Sequence, residues 1–123
     1  MAADREPALR VTMLPRDTNA RGTIFGGVIL SHIDLAGAIA AHQYAARNFV
    51  TKAMREVEFI APVYVGDVVS FYAEEVREGK TSLTVRVEVE AERFGTRRER
   101  ARVTAAEVVY VAIDENQRPI PIR

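Results

Sequence analysis

From Gly27 to about Arg47 the chain offers a helix almost no polar side: Val28, Ile29, Leu30, Ile33, Leu35 and Ile39 are interspersed with small residues around the whole circumference. A helix that is apolar all round must be covered by protein on most sides. The run Val28 to Ala41 falls short of the roughly 20 residues a membrane span needs. It also carries Ser31, His32 and Asp34. It therefore reads as a buried helix, and one such helix in a chain of 123 residues needs a sheet curved around it.

The flanking sequence supplies that sheet. Ala8 to Leu14 is a first strand closed by Pro15, and a glycine-containing loop, Arg16 to Gly26, leads into the helix. Phe49 to Ile60 is strand-like, and Ala61-Pro62-Val63-Tyr64-Val65-Gly66-Asp67 is a punctuated connection. Val68 to Val76 follows, then a tight turn at Glu78-Gly79-Lys80. In Leu83 to Glu90, Leu83, Val85, Val87 and Val89 alternate with Thr84, Arg86, Glu88 and Glu90, the period of a strand with one buried face. A charged loop, Phe94 to Glu99, precedes a last strand from about Arg100 to Ile113. One strand, one helix and four more strands predict an α+β fold in a single domain, residues 1–123, with an antiparallel sheet wrapped on a long helix. Long apolar edge strands invite pairing with a second copy, so a homodimer at minimum is expected.

Charge and composition narrow the function. Seventeen basic and seventeen acidic residues balance, which disfavours nucleic acid or an anionic membrane as partner. There is no cysteine, so disulfides, thiolate metal sites and cysteine nucleophiles are excluded. The polar start, Met-Ala-Ala-Asp-Arg-Glu-Pro, lacks the apolar core of a signal peptide. A cytoplasmic protein is expected.

Asp34 is the residue that points to chemistry. An ionised carboxylate withdrawn from water costs several kcal/mol unless compensated, and this one sits between Ile33 and Leu35. Upstream, Gly26-Gly27 opens the helix, where free N–H groups and the positive end of the helix dipole favour developing negative charge. That is the outline of an oxyanion hole. Asn19 offers an amide able to hold water or polarise a carbonyl. Together they suit acyl transfer to water. Each also has a plainer reading: the glycines as a tightly packed helix start, Asp34 as a structural carboxylate, and Asn19 as a turn residue in Asp17-Thr18-Asn19-Ala20-Arg21-Gly22.

Other signals are weaker. His32 lies about 160° around the helix from Asp34 and makes no relay with it. His32 and His42 are assigned to packing or the helix surface, and no metal-ligand cluster is formed. Gly79-Lys80-Thr81 has Glu74 where a phosphate loop needs glycine. Ser31 lacks a glycine-flanked elbow. The basic stretch Arg93 to Arg102 reads most simply as a solvated loop, with contacts for the phosphates of a nucleotide-like tail as the alternative.

Asp17-Thr18-Asn19-Ala20-Arg21-Gly22-Thr23-Ile24-Phe25-Gly26-Gly27, then Ile33-Asp34-Leu35-Ala36-Gly37-Ala38, Val50-Thr51 and Phe59 to Asp67 resemble the hotdog-fold acyl-CoA thioesterases of the bacterial short-chain and mammalian cytosolic acyl-CoA hydrolase group. The resemblance runs from about Leu9 to Pro121. It implies a hotdog fold, a dimer made by joining two sheets, a hexameric trimer of such dimers, and hydrolysis of acyl-CoA to free acid and CoA. Coenzyme A is then part of substrate and product, and neither cofactor nor metal is implied. Position by position, Asp34 resembles the catalytic base or nucleophile, Asn19 its partner amide from the opposite subunit, and Gly27, with Gly26, the donor to the thioester oxygen. Phe25, Thr51 and Phe59 are implied to line the substrate site. Arg93, Arg97 and Arg98 are implied, more loosely, for the CoA tail. The alternative on the same fold is a noncatalytic acyl-CoA-binding or regulatory module. A hydratase would want a histidine paired with Asp34, and neither histidine is suitably placed.

Overall fold

The structure, a computed structural model, describes residues 5–95 and 99–123. Strand β1 is Leu9–Thr12, helix α1 is Gly26–Tyr44, and β2 (Asn48–Phe59), β3 (Val68–Glu78), β4 (Ser82–Arg93) and β5 (Glu99–Ile113) complete one sheet. Its strand order is β1-β3-β4-β5-β2, antiparallel throughout. The helix fills the concave face.

The register follows from the alternation along β4. Leu83 pairs with Tyr110, Val85 with Val108 and Val87 with Ala106, and all of these side chains are buried. Phe71 and Val69 of β3 extend the same surface. Against it α1 lays Ile29, Ile33, Ala36, Gly37, Ala40 and Ala41. Small residues there let helix and sheet approach closely, and burial at about 25 cal/mol per Å² of apolar surface holds the two layers together. The opposite face of β4 carries Arg86, Glu88 and Glu90; Glu88 forms surface ion pairs with Arg5, Arg86 and Arg102, and Glu90 with Arg100.

Two sequence expectations need correction. The helix begins at Gly26 and stops at Tyr44 rather than near Arg47, because Ala45 turns to extended backbone, with its N–H still bonded to Ala41 O. Nor does one sheet cover α1 on most sides. It shields a single face, and Leu35 is left 56% exposed. Edge strand β2 is likewise open, exposing Val50, Val57 and Phe59. Two bulges interrupt its pairing with β5, between Thr51 and Ala53 and between Arg55 and Glu58, and Glu56 in the second has φ 55°.

The connection from β2 to β3 is anchored at both ends. Ile60 N–H and Ala61 N–H donate to Val103 O, and Ile24 N–H donates to Val63 O. At its far end Asp67, 1% exposed, accepts Tyr64 N–H and a two-pronged pair of hydrogen bonds from Arg93, each 2.9 Å. The Arg93 guanidinium also lies 4.7 Å from the centre of the Tyr64 ring. Among the described residues, no helix is long and apolar enough to cross a membrane.

Candidate active site

Asp34 sits where α1 faces the inner surface of β2 and β5. Thr51 and Tyr110 are directly paired across those strands, so both side chains rise from one face toward the helix. Thr51 Oγ1 donates to Asp34 Oδ1 at 2.8 Å. The Tyr110 hydroxyl lies 2.7 Å from Asp34 main-chain O and 3.1 Å from Oδ1. Among the described residues no donor reaches Oδ2, and the side chain is only partly buried. The carboxylate is thus held by one oxygen and open at the other. Burial first, then the charge and hydrogen bond of Asp34, push the Tyr110 phenol well above its ordinary range, so it remains a proton donor at any physiological pH.

At the helix start, no side chain caps the N-terminus and no acidic residue occupies the first turn. The leading N–H groups of Gly26 and Gly27 are therefore without an intrahelical partner. Phe25 folds its ring against Gly27, where a Cβ would come within 2.6 Å of it. Phe59 approaches Gly26 from the end of β2, less closely, at 3.2 Å from a Cβ built there. Beside these residues opens a cavity of about 380 Å³, lined by Ile24, Gly26, Ile29, Phe59, Pro62, Val63 and Thr104 among others. It is apolar save for backbone and the Thr104 hydroxyl. Such a lining suits an apolar ligand rather than a polar metabolite.

Asn19 works mainly inside its own loop. Its Oδ1 accepts the N–H groups of Arg21 and Thr23, and its Nδ2 donates to Thr23 Oγ1. This closes the turn that the sequence suggested and leaves one amide hydrogen unused. Within the protomer no hydrogen bond joins Asn19 to Asp34. The helix rise of 1.5 Å per residue puts Asp34 about 10 Å along the axis from Gly27. One protomer thus brings Thr51 to Asp34, and Phe25 and Phe59 to the glycines, but keeps the two groups apart.

The remaining candidates are distributed as follows. Arg93 is engaged by Asp67, and a third nitrogen approaches Glu99 at 3.9 Å, so its guanidinium is occupied within the fold. Arg97 and Arg98 lie outside the described residues. His32 bonds through Nδ1 to Val28 O and stacks on Phe71, and His42 meets Phe49 edge-on, which is packing, as assigned. Sequence reasoning missed Tyr110 and Asp67. A tyrosine in the run Val108-Val109-Tyr110-Val111 was the available signal for the first; Asp67 read as a turn residue after Gly66.

Residues 21–96 match the family model described as "Thioesterase superfamily". The chain belongs to the thioesterase superfamily. An acyl-CoA thioester hydrolase, YciA, of Salmonella typhimurium is 40% identical over 119 residues, covering 95% of this chain and 90% of that protein. A hexameric hotdog-fold thioesterase of Campylobacter jejuni superposes with TM-score 0.91 at 44% identity, over 96% of this chain and 90% of the other. HI0827, a hexameric broad-specificity acyl-coenzyme A thioesterase solved as an aspartate-to-alanine variant, gives TM-score 0.91 at 39% identity over 96% and 86%. The fold is the hotdog fold of this superfamily, with α1 in the concave face of the five-stranded sheet.

Proposed function

We infer that this thioesterase hydrolyses acyl-CoA to a free carboxylic acid and CoA. The observation that carries the reading is Asp34 itself: a carboxylate with one oxygen anchored by hydroxyls and the other unbonded, on a helix whose N-terminus is bare. In the proposed step Asp34 takes a proton from water as its oxygen attacks the thioester carbonyl. The resulting oxyanion is held by the Gly27 N–H at the positive end of the helix, with Gly26 giving the thioester room to approach. Collapse breaks the C–S bond, and CoA departs with the proton returned from Asp34. Direct attack by Asp34 through an acyl anhydride uses the same residues. Neither route calls on a metal or cofactor.

Asp34 and Gly27 of one protomer are about 10 Å apart along the helix, whereas a base and an oxyanion donor acting on one carbonyl each work at about 3 Å. We therefore propose a homodimer in which Asp34 of one subunit faces Gly27 and Asn19 of the other, with three dimers in a hexamer. The spare amide hydrogen of Asn19 then orients water or substrate. Phe25 and Phe59 flank the thioester at the apolar cavity, and Arg97 and Arg98 are candidates for the CoA phosphates. The test is Asp34→Ala against a panel from acetyl-CoA to palmitoyl-CoA. CoA release should fall about 10²–10⁴-fold with the oligomer intact. Undiminished turnover defeats the reading, and tight acyl-CoA binding without turnover by the unaltered protein would assign it to the noncatalytic alternative.

A further inference from the structure

We propose that Tyr110 is a positioning residue of this site: its hydroxyl, together with that of Thr51, fixes Oδ1 of Asp34 so that Oδ2 is the oxygen presented to water or thioester. The proposal rests on the reading of Asp34 as the acting carboxylate. Its basis is the convergence of two cross-strand hydroxyls on one atom, 2.8 Å from Thr51 and 3.1 Å from Tyr110. Carboxylate torsions are broad and two-fold, so an aspartate with no such anchor exchanges its two oxygens freely. Here any rotation out of the held orientation must break both hydrogen bonds, so one oxygen is kept anchored and the other open.

Tyr110 is suited to the task in a way that Thr51 is not. It is 1% exposed and cannot swing away. It also touches Asp34 twice, at the main-chain carbonyl and at the side chain. A phenol has one hydrogen and lends it to one acceptor at a time. Against an ionised carboxylate the hydrogen is drawn to Oδ1, because a bond to a charged acceptor is the stronger of the two. The main-chain carbonyl, nearer at 2.7 Å, competes with Oδ1 for the same hydrogen. In contact with both oxygens, and alternating its one hydrogen between them, the hydroxyl restrains both the height of Asp34 on the helix and the rotation of its carboxylate, which is the kind of alignment whose loss slows a reaction without weakening binding.

The experiment compares Tyr110→Phe, Thr51→Val and Thr51→Ser with the unaltered enzyme, using hexanoyl-CoA as substrate and CoA titration to count intact binding sites. Losing one hydrogen bond to a charged group should lower kcat about 10-fold in Tyr110→Phe and in Thr51→Val. KM should hold within about two-fold, and CoA stoichiometry and affinity should not change. Thr51→Ser, which restores the hydroxyl, should recover most of the rate. Should Tyr110→Phe not fold, the exposed Thr51 position still decides. A kcat near the unaltered value in both hydroxyl-free variants overturns the proposal, as does a loss that falls on KM or on the count of binding sites. If Asp34→Ala keeps full activity, the carboxylate reading itself fails; if Asp34→Ala is inactive while Tyr110→Phe and Thr51→Val are fully active, only the positioning role fails.

Discussion

At the scale of single residues, Gly37 shows how closely the helix is fitted to the carboxylate's support. A Cβ on Gly37 would lie 2.3 Å from the Tyr110 hydroxyl and 3.0 Å from two of its ring carbons. Tyr110 is buried and tied to Asp34, so it has no easy retreat. Gly37→Ala gains up to about 1 kcal/mol of helix propensity, but overpacking a closed core costs about 1–3 kcal/mol, and the clash should prevail. We expect Gly37→Ala to lower both the melting temperature and kcat. Adding Tyr110→Phe, which removes the most offended atom, should make the pair less than additive in stability, since residues in direct contact couple. Thermal melts of the two single variants and the double variant measure this. Strict additivity would mean that the helix and Tyr110 do not press on each other here.

At the scale of elements, the β2–β3 connection forms one wall of the apolar cavity, and its position depends on a bond to the strand beside β3, far away in sequence. Arg93 of β4 closes on Asp67, 26 residues away, and Asp67 is almost wholly buried. Removing the cation leaves a carboxylate in a site water reaches poorly, at a cost of about 3–5 kcal/mol in comparable cases. Arg93 keeps a third of its side-chain surface exposed, so Arg93→Ala belongs at the lower end. Much of that cost is the stranded charge, so Asp67→Asn added to Arg93→Ala should recover part of the stability, read by chemical denaturation. A double variant no more stable than Arg93→Ala would rule out the stranded charge as the cause. The same pair marks the boundary of what the chain reveals in one dimension. Period-two alternation made β4 legible, and the unbroken apolar run made α1 legible, because each pattern is local. Asp34 and Gly26-Gly27 were legible because a charge in an apolar run and a double glycine are local anomalies too. The partners of Asp67 and of Asp34 were not. Which arginine meets an acid, and that Tyr110 stands opposite Thr51, are settled by strand register, and register depends on bulges such as that at Glu56 that no local pattern announces.

At the scale of the molecule, the proposed reaction needs more than one protomer, because Asp34 and the helix N-terminus of one chain lie too far apart to act on one carbonyl. Leu35 on α1, Phe25 at its start, and Val50, Val57, Phe59 and Ile60 on or beside the open edge strand are each exposed, and an open edge strand with exposed apolar residues is the kind of feature that a second copy covers. Covering it with a two-fold-related subunit is also the way to bring Asp34 to a bare helix N-terminus and to an Asn19 loop that its own chain keeps at a distance. This makes a sharp expectation for mixed assemblies. Asp34→Ala and Asn19→Ala proteins should each be nearly inactive alone, because every site in them lacks one partner. When the two are dissociated and reassembled together at equal amounts, half of the dimers contain one subunit of each kind. In such a dimer one site carries both lesions and the other carries none, so about a quarter of the unaltered activity should return. Measuring CoA release before and after reassembly, with size-exclusion chromatography to confirm the oligomer, tests it directly. If activity stays at the level of the parent variants although mixed dimers have formed, Asp34 and Asn19 serve the same subunit and the shared site is wrong.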